Sequence, residues 1–405
     1  MILATDLEVF TPDSPVVRTV VAAVEAQLRE PAIGSMPRKR AVLAGIHELT
    51  PSQTTTIANC AFWASVATYE GRPIRGRLCV AEPHEGRLAL ALDAPLPLSV
   101  ESTVALAIAS PGGAVAIHAS EQGKAEIWGV IKDCPELATV FTIIGPAMLR
   151  VSVGSSIVAV VHGHAVSLPK GLSYVQWPLL VAKLLNSDEE FPGRMLRAAR
   201  MRDIVAAMCS HGHGGTVIVV PREGKWRDNL EIRYLLAGAE GSSFLADHWE
   251  RLTKARSEAP NLAGAAEAEA LPAPLVALRQ EALGLHEKLS DDAHAQVGAL
   301  TALDGAVVIR EDLVVVGFGV KLPLAPGSGF DVDEVDLISG SAPRRVTLSK
   351  VGGTRHQSVA NFVHQNTEAM AFVASQDGNL TLFAWAHNPG VVVAVRRLEY
   401  VMRDQ

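Results

Sequence analysis

Two stretches in the first half of the chain carry apolar residues at intervals of three and four, the spacing of one helix face. They are "VVRTVVAAVEAQLRE" at 16–30 and "MLRAARMRDIVAAMCS" at 195–210. Two others, "SSIVAVV" at 155–161 and "GGTVIVVP" at 214–221, are short and nearly continuous apolar runs. Such runs, bounded by glycine or proline, are typical of buried strands. The pattern predicts a mixed α/β N-terminal region.

The C-terminal third has a clearer pattern of apolar positions. "AVVI" at 306–309 and "LVVVGFGV" at 313–320 predict a strand pair, and "GVVVAV" at 390–395 predicts a further strand. "EAMAFVA" and "LTLFAWA" flank "SQDGN" at 375–379, whose Asp-Gly is a strong hairpin signal. We therefore expect a mixed sheet flanked by helices. An apolar helical stripe precedes these strands and consists of Leu275, Leu278, Ala282, Leu285, Leu289, Ala293, Val297 and Leu300.

A segment rich in Ala, Glu and Pro, "EAPNLAGAAEAEALPAP" at 258–274, is typical of a linker or a solvated helix. It predicts an N-terminal region at 1–257, with a weaker break near 130–150, and a C-terminal domain at 275–405.

Composition and charge narrow the class of protein. The 405 residues carry a net charge of −7, which argues against a nucleic-acid polymer or a membrane surface as the partner. The four cysteines are far apart in sequence, and the N-terminus lacks the basic start and apolar run of a signal peptide. These features predict a cytoplasmic protein with reduced cysteines.

The stretch "KVGGTRHQSVANF" at 350–362 places flexible and cationic residues at a predicted helix start. Gly352 and Gly353 allow a close approach of the backbone to a ligand, and Thr354 is a good N-cap residue. The free N–H groups of a helix start attract anions, to which Arg355 and His356 add donors. A phosphate site and a capped helix with a surface arginine both fit this stretch.

Asp304 lies between a predicted helix and the strand "AVVI", with Gly305 beside it. An aspartate at such a junction can bind Mg²⁺ or Mn²⁺ close to phosphates. The alternative is an ordinary turn, because Asp-Gly is a frequent turn pair.

Taken together, Asp304-Gly305-Ala306 before a strand, "KLPL" after the next strand, and Gly353-Thr354-Arg355-His356 at a helix start resemble the diadenylate cyclase (DAC) domain family. The family's hallmarks are D-G-A and R-H-R. The resemblance covers about residues 275–405, and the preceding region is similar to the sensor regions of some bacterial members, most of all at "HGHGGTVIVVP".

This resemblance implies a cyclase that joins two ATP molecules into cyclic di-AMP and releases two pyrophosphates. Each of two facing subunits would hold one ATP, so a homo-oligomer is implied. Asp304 would bind the metal and help to activate the ribose 3′-hydroxyl, and Arg355 and His356 would complete the catalytic set. The implied substrate-binding residues are Gly305, Ala306, Leu322, Gly353, Thr354, Gln357, Ser358 and Ser375.

The sequence departs from the family pattern at three places. Gln357 stands where the family has the second arginine of R-H-R, and Ser375-Gln376-Asp377 stands where many members have Ser-Glu-Glu. Asp304 and Arg355 are 51 positions apart, longer than is usual, and we assign the excess to a loop at 325–345. The missing arginine leaves open an alternative function, a catalytically inactive DAC-like module that binds a nucleotide and regulates.

Histidines at 162, 164, 211 and 213 raise the question of a metal site, but His-Gly turns at strand ends are the stronger interpretation. "HGHGG" at 211–215 is also suited to binding an anion through its backbone. "DVDEVD" at 331–336 is interpreted as a solvated acidic loop.

Overall fold

The computed structural model describes residues 15–29, 49–83, 89–120, 123–170, 176–185, 191–238, 241–247, 250–251, 292–323, 329–376 and 378–402. The fold is mixed α/β, as predicted. The chain forms two compact units. The first comprises Met1–Gln176 with Asp336–Ser341 and Glu399–Gln405, and the second comprises Trp177–Val335 with Ala342–Leu398.

The first unit is built on an eight-stranded sheet in the order β10-β9-β8-β7-β3-β5-β6-β4, in which β3 and β5 are parallel. Its second helix begins with a capping box, because Thr50 accepts the Gln53 N–H and the Gln53 side chain accepts the Thr50 N–H. The elements are α1 (Pro15–Leu28), α2 (Pro51–Val66), β1 (Thr68–Tyr69), β2 (Arg72–Pro73), β3 (Gly76–Val80), β4 (Ala89–Pro97), α3 (Val100–Ala109), β5 (Ala114–Ala119), β6 (Ala125–Ile131), β7 (Thr139–Gly145), β8 (Met148–Val153), β9 (Ser156–His162) and β10 (Ala165–Ser167).

The second unit is built on a nine-stranded sheet in the order β12-β14-β13-β11-β17-β18-β19-β15-β16. One of its inner strands, β11, is buried at every position, which explains its continuous apolar run. The elements are α4 (Gln176–Leu184), α5 (Phe191–Ser210), β11 (Gly215–Val220), β12 (Glu231–Leu235), β13 (Ala306–Arg310), β14 (Val315–Lys321), β15 (Asp331–Asp336), β16 (Arg344–Thr347), α6 (Thr354–Gln365), β17 (Met370–Ala374), β18 (Leu380–Ala386) and β19 (Val391–Arg396).

This sheet includes β11 and β12, which the sequence prediction assigned to the N-terminal region. β11 pairs with β13 on one side and β17 on the other, so it belongs with the strands that follow the predicted linker. The predicted linker at 258–274 lies outside the described residues, and so does the first part of the predicted helix, of which residues 292–299 are described as helical. The weaker break near 130–150 falls inside the first unit's sheet.

The stretch at 325–345 was predicted to be a loop, and this was wrong for its described part. β15 and β16 form an antiparallel hairpin there, in which Asp333 faces Arg345 and Glu334 faces Arg344. The acidic side chains of "DVDEVD" are thus matched by arginines on the partner strand, and opposite charges across a strand pair stabilise it. No helix in the described parts of the chain is long and apolar enough to span a membrane.

Candidate nucleotide site

The helix after the double glycine begins at Thr354, one residue earlier than predicted. Gly353 is the N-cap, with φ −67° and ψ 178°, and Thr354 is the first helical residue. The prediction of Thr354 as N-cap was therefore wrong. No side chain caps this end, and the first intrahelical hydrogen bond runs from the Gln357 N–H to the Gly353 carbonyl at 3.2 Å. The N–H groups of residues 354–356 have no intrahelical acceptor, as at any helix start, and can meet an anion.

His356 is packed closely against the preceding loop. Gly352 has φ +145°, and a Cβ there would lie 3.1 Å from His356 Cγ, so glycine is required at 352. The imidazole also meets Phe383 edge-on, with ring centroids 6.0 Å apart. Burial lowers the pKa of His356 to about 4, and the charges of Arg396 and Arg355 add to this. At neutral pH His356 is thus uncharged, and Arg355 is the cation that this segment brings.

Gln357, at the position of the missing arginine, turns back toward the loop. Its Nε2 donates to the Gly352 carbonyl at 2.7 Å. The substrate contact predicted for Gln357 stays a prediction; in the structure its side-chain amide binds the backbone of the double-glycine loop. Ser358, one residue further, is only 8% exposed and lies on the buried side of α6.

The D-G-A motif stands at the start of β13. Asp304 is exposed, and Ala306 pairs with Val320 of β14. Gly305 has φ +120°, and a Cβ there would lie 2.7 Å from the Gly319 carbonyl carbon and 2.8 Å from the Val320 nitrogen. Glycine at 305 therefore allows β13 to begin close to β14. Asp304, directly before it, is exposed to solvent. Leu322, after β14, is half-buried against the core of the second unit.

The register of the sheet brings separate segments to one end of it. In β11, Val217 pairs with Val307 of β13 and Gly215 pairs with Ala374 of β17. Asp304, Gly214 and Ser375 therefore follow one another across three neighbouring strands, at what we call the motif end of the sheet. Neighbouring strands are about 4.8 Å apart, so β13 and β17, which flank β11, are separated by about 10 Å. Ser375 is bound in the β17–β18 turn, where its N–H donates to Asn379 at 2.9 Å.

The loop 211–215, which the sequence analysis did not place with either motif, lies between them. A Cβ on Gly214 would lie 2.8 Å from Arg355 Nη1 and 3.0 Å from the Ala374 carbonyl oxygen, so the arginine side chain crosses this glycine. The arginine of G-T-R-H and the start of β11 are thus neighbours, although 141 positions separate them in sequence.

On the other side, the same loop is joined to the lead-in of D-G-A. His211 Nε2 lies 2.9 Å from Thr301 Oγ1, and the Thr301 hydroxyl donates to the Gly298 carbonyl at 2.6 Å. His211 Nδ1 accepts the His213 N–H at 3.1 Å. These bonds require a neutral His211 with its proton on Nε2. Burial lowers the pKa of His211, and His213 adds to this, in agreement with the neutral form.

A metal at this end would have few protein ligands. The described residues contain no cluster of three or more His, Cys, Asp or Glu side chains that could hold an ion. Asp304 supplies one exposed carboxylate. This fits a Mg²⁺ or Mn²⁺ ion that arrives with a triphosphate, because such ions take one or two protein carboxylates and complete their shell with phosphates and water. Asp377 lies outside the described residues.

Comparison with known proteins bears on the first unit. A family model described as probable sensor domain DACNV matches residues 48–132. The matched residues extend from α2 to just beyond β6. The stretch "HGHGGTVIVVP", which we compared with the sensor regions, lies outside this match and in the second unit. No curated protein matches the chain.

Proposed function

We propose that the protein is a diadenylate cyclase, which condenses two ATP molecules into cyclic di-AMP and two pyrophosphates. The observation that carries this proposal is the meeting of D-G-A, the loop 211–215 and G-T-R-H at the motif end of one sheet. The DACNV match supports it, since this sensor domain is found in diadenylate cyclase proteins.

In this proposal the start of α6 and Arg355 bind the triphosphate. The backbone N–H groups of residues 354–356 donate to phosphate oxygens, and the Arg355 guanidinium, resting on Gly214, adds a charge-assisted contact. Because His356 is neutral, it would not offset the negative charge of the phosphates. Its imidazole is held between Gly352 and Phe383, so it would orient the phosphates instead. Positioning and charge stabilisation of this kind are the main contributions of proteins to phosphoryl transfer.

Asp304 would hold the ion that accompanies ATP and orient the 3′-hydroxyl of the ribose. Such an ion, when bound, supplies positive charge to the phosphates and lowers the pKa of the hydroxyl. Each 3′-hydroxyl releases its proton to water while its oxygen forms a bond to the α-phosphorus of the facing ATP, and the bond from that phosphorus to pyrophosphate breaks. Two such steps close the ring. One subunit holds one ATP, so the reaction requires a homo-oligomer with facing sites.

A second candidate function is a nucleotide-binding module without catalysis. It is favoured by Gln357, which places a neutral amide where an arginine would contact phosphates and which binds Gly352 instead. A site with less positive charge stabilises the charge of the transition state less.

The test is to incubate the purified chain with ATP and Mn²⁺ and to identify products by mass. We expect cyclic di-AMP from the unaltered chain, none from Asp304→Asn, and normal amounts from Asp331→Asn, which alters an exposed carboxylate on β15. Binding of ATP without product would support the second function. Absence of both binding and product would contradict both functions.

A further inference from the structure

Arg396, the last residue of β19, joins three elements of the second unit through its guanidinium. Nε donates to Glu334 Oε1 at 3.1 Å, and Nη1 donates to Thr381 Oγ1 at 3.1 Å. Nη2 donates to Glu334 and to the Val351 carbonyl. One side chain thus connects β15, β18 and the residue that precedes Gly352-Gly353.

The carboxylate that holds Arg396 comes from the β15–β16 hairpin. Glu334 also accepts from Arg344 Nη2 at 2.6 Å. Burial would raise the pKa of Glu334, but the hydrogen bonds from Arg344 and Arg396 outweigh it, so the pKa lies below its ordinary value. Glu334 is therefore ionised at neutral pH and holds the Arg396 guanidinium at Nε and Nη2. The hairpin lies in the stretch that lengthens the spacing between the two motifs.

The loop before α6 is anchored at Val351, which is buried in the core and whose N–H donates to the Leu348 carbonyl at 3.1 Å. Gly352 and Gly353 carry no side chains, and a Cβ on Gly353 would meet nothing within 4 Å. Side chains hold the two carbonyls in front of the N-cap, since Arg396 donates to Val351 and Gln357 donates to Gly352. These two bonds hold the backbone directly before the N–H groups of the helix start.

We propose that Arg396, held by Glu334 of the β15–β16 hairpin, is a positioning residue that sets the conformation of the double-glycine loop for phosphate binding. It acts through the Val351 carbonyl and is not itself placed against the nucleotide. The part of this proposal that concerns phosphate rests on the proposed function, whereas the part that concerns loop order does not.

The test compares four variants of the full chain: Arg396→Gln, Arg396→Lys, Glu334→Gln and Arg345→Gln. The last is a matched control, because Arg345 forms a two-point ion pair with Asp333 in the same hairpin, at 2.8 and 3.0 Å. Amide NMR relaxation reports the order of Gly352 and Gly353, the imidazole signals report the pKa of His356, and titration with ATP and Mn²⁺ reports affinity.

We expect Arg396→Gln to lower the order parameters of Gly352 and Gly353 from about 0.85 to below about 0.6. We also expect it to weaken ATP binding about tenfold to a hundredfold, because small misplacements near a site have effects of that size. Glu334→Gln should give a smaller loss in the same direction, and Arg345→Gln none. Arg396→Lys keeps the positive charge but loses the guanidinium that donates to both Glu334 and the Val351 carbonyl. The pKa of His356 should therefore stay low while the order of the loop is lost.

Unchanged loop order in both Arg396→Gln and Glu334→Gln, with the chains folded, would overturn the proposal. Equal losses in Arg345→Gln would also overturn it, since they would show a general effect of the hairpin. If the unaltered chain binds no ATP, the proposed function fails, and the order parameters still decide the role of Arg396.

Discussion

Two glycines of one loop provide a direct test of how Arg355 is placed. Gly212 and Gly214 have nearly the same conformation, with φ +72° and +69°. They differ in surroundings, because a Cβ on Gly212 would meet nothing within 4 Å, whereas one on Gly214 would lie 2.8 Å from Arg355 Nη1. Alanine at 212 therefore adds backbone strain alone, and alanine at 214 adds the same strain and displaces the guanidinium.

The size of each effect follows from these distances. A left-handed conformation costs an alanine about 1–2 kcal/mol, so Gly212→Ala should lose about that much stability and Gly214→Ala at least as much. At 214 the methyl group also stands 3.0 Å from the Ala374 carbonyl, which cannot move as freely as the arginine tip. A charge-assisted hydrogen bond contributes about 1.5–3 kcal/mol, so moving Arg355 off the phosphates should weaken ATP binding about tenfold to a hundredfold.

Isothermal titration with a non-hydrolysable ATP analogue measures this difference, and thermal unfolding of both variants measures the shared strain. We expect Gly214→Ala to bind the analogue at least tenfold more weakly than Gly212→Ala. Equal affinities in two folded variants would refute the reasoning, because Arg355 would then not depend on Gly214 or would not bind phosphate.

Three further predictions concern stability. Gly305→Ala should destabilise the second unit by roughly 2–5 kcal/mol in denaturant unfolding, because φ +120° and the β14 backbone 2.7 Å away both oppose a side chain. The pKa of His356 is lowered from 6.5 to about 4 in the fold, so the free energy of unfolding should fall as pH drops from about 6.5 to 4. In His356→Gln this fall in the free energy of unfolding should be smaller by up to about 3 kcal/mol. Arg150 is 1% exposed and donates to the Met402 carbonyl at 2.6 Å and to the Tyr400 carbonyl at 3.3 Å. Arg150→Met should therefore destabilise the first unit by roughly 2–5 kcal/mol in thermal unfolding. An unchanged unfolding midpoint would contradict this.

The existence of most strands of the second unit could be predicted, because burial on both faces demands continuous apolar residues. β11, β13, β14, β17, β18 and β19 all coincide with predicted runs. Their pairing could not be predicted, because β11 precedes β13 by a long segment and lies beside it only in the folded sheet. For that reason the loop 211–215 was assigned to the N-terminal region.

The β15–β16 hairpin shows a second limit of sequence reasoning. The four acidic residues of "DVDEVD" favour solvent when they are considered alone. In the structure Arg345 and Arg396 reach Asp333 and Glu334, which makes a charged strand stable. The low pKa of His356 could not be predicted for a similar reason, since its burial and the nearby charge of Arg396 arise only in the folded structure.

The central claim is that residues 211–215, 304–306 and 353–356 form one nucleotide site. Backbone amide NMR signals, followed during titration with a non-hydrolysable ATP analogue and Mn²⁺, test it most directly. The account predicts that signals of all three segments shift together with a single dissociation constant, while those of β16 and the first unit's sheet stay in place. Shifts confined to one segment, or different dissociation constants for the three, would contradict it.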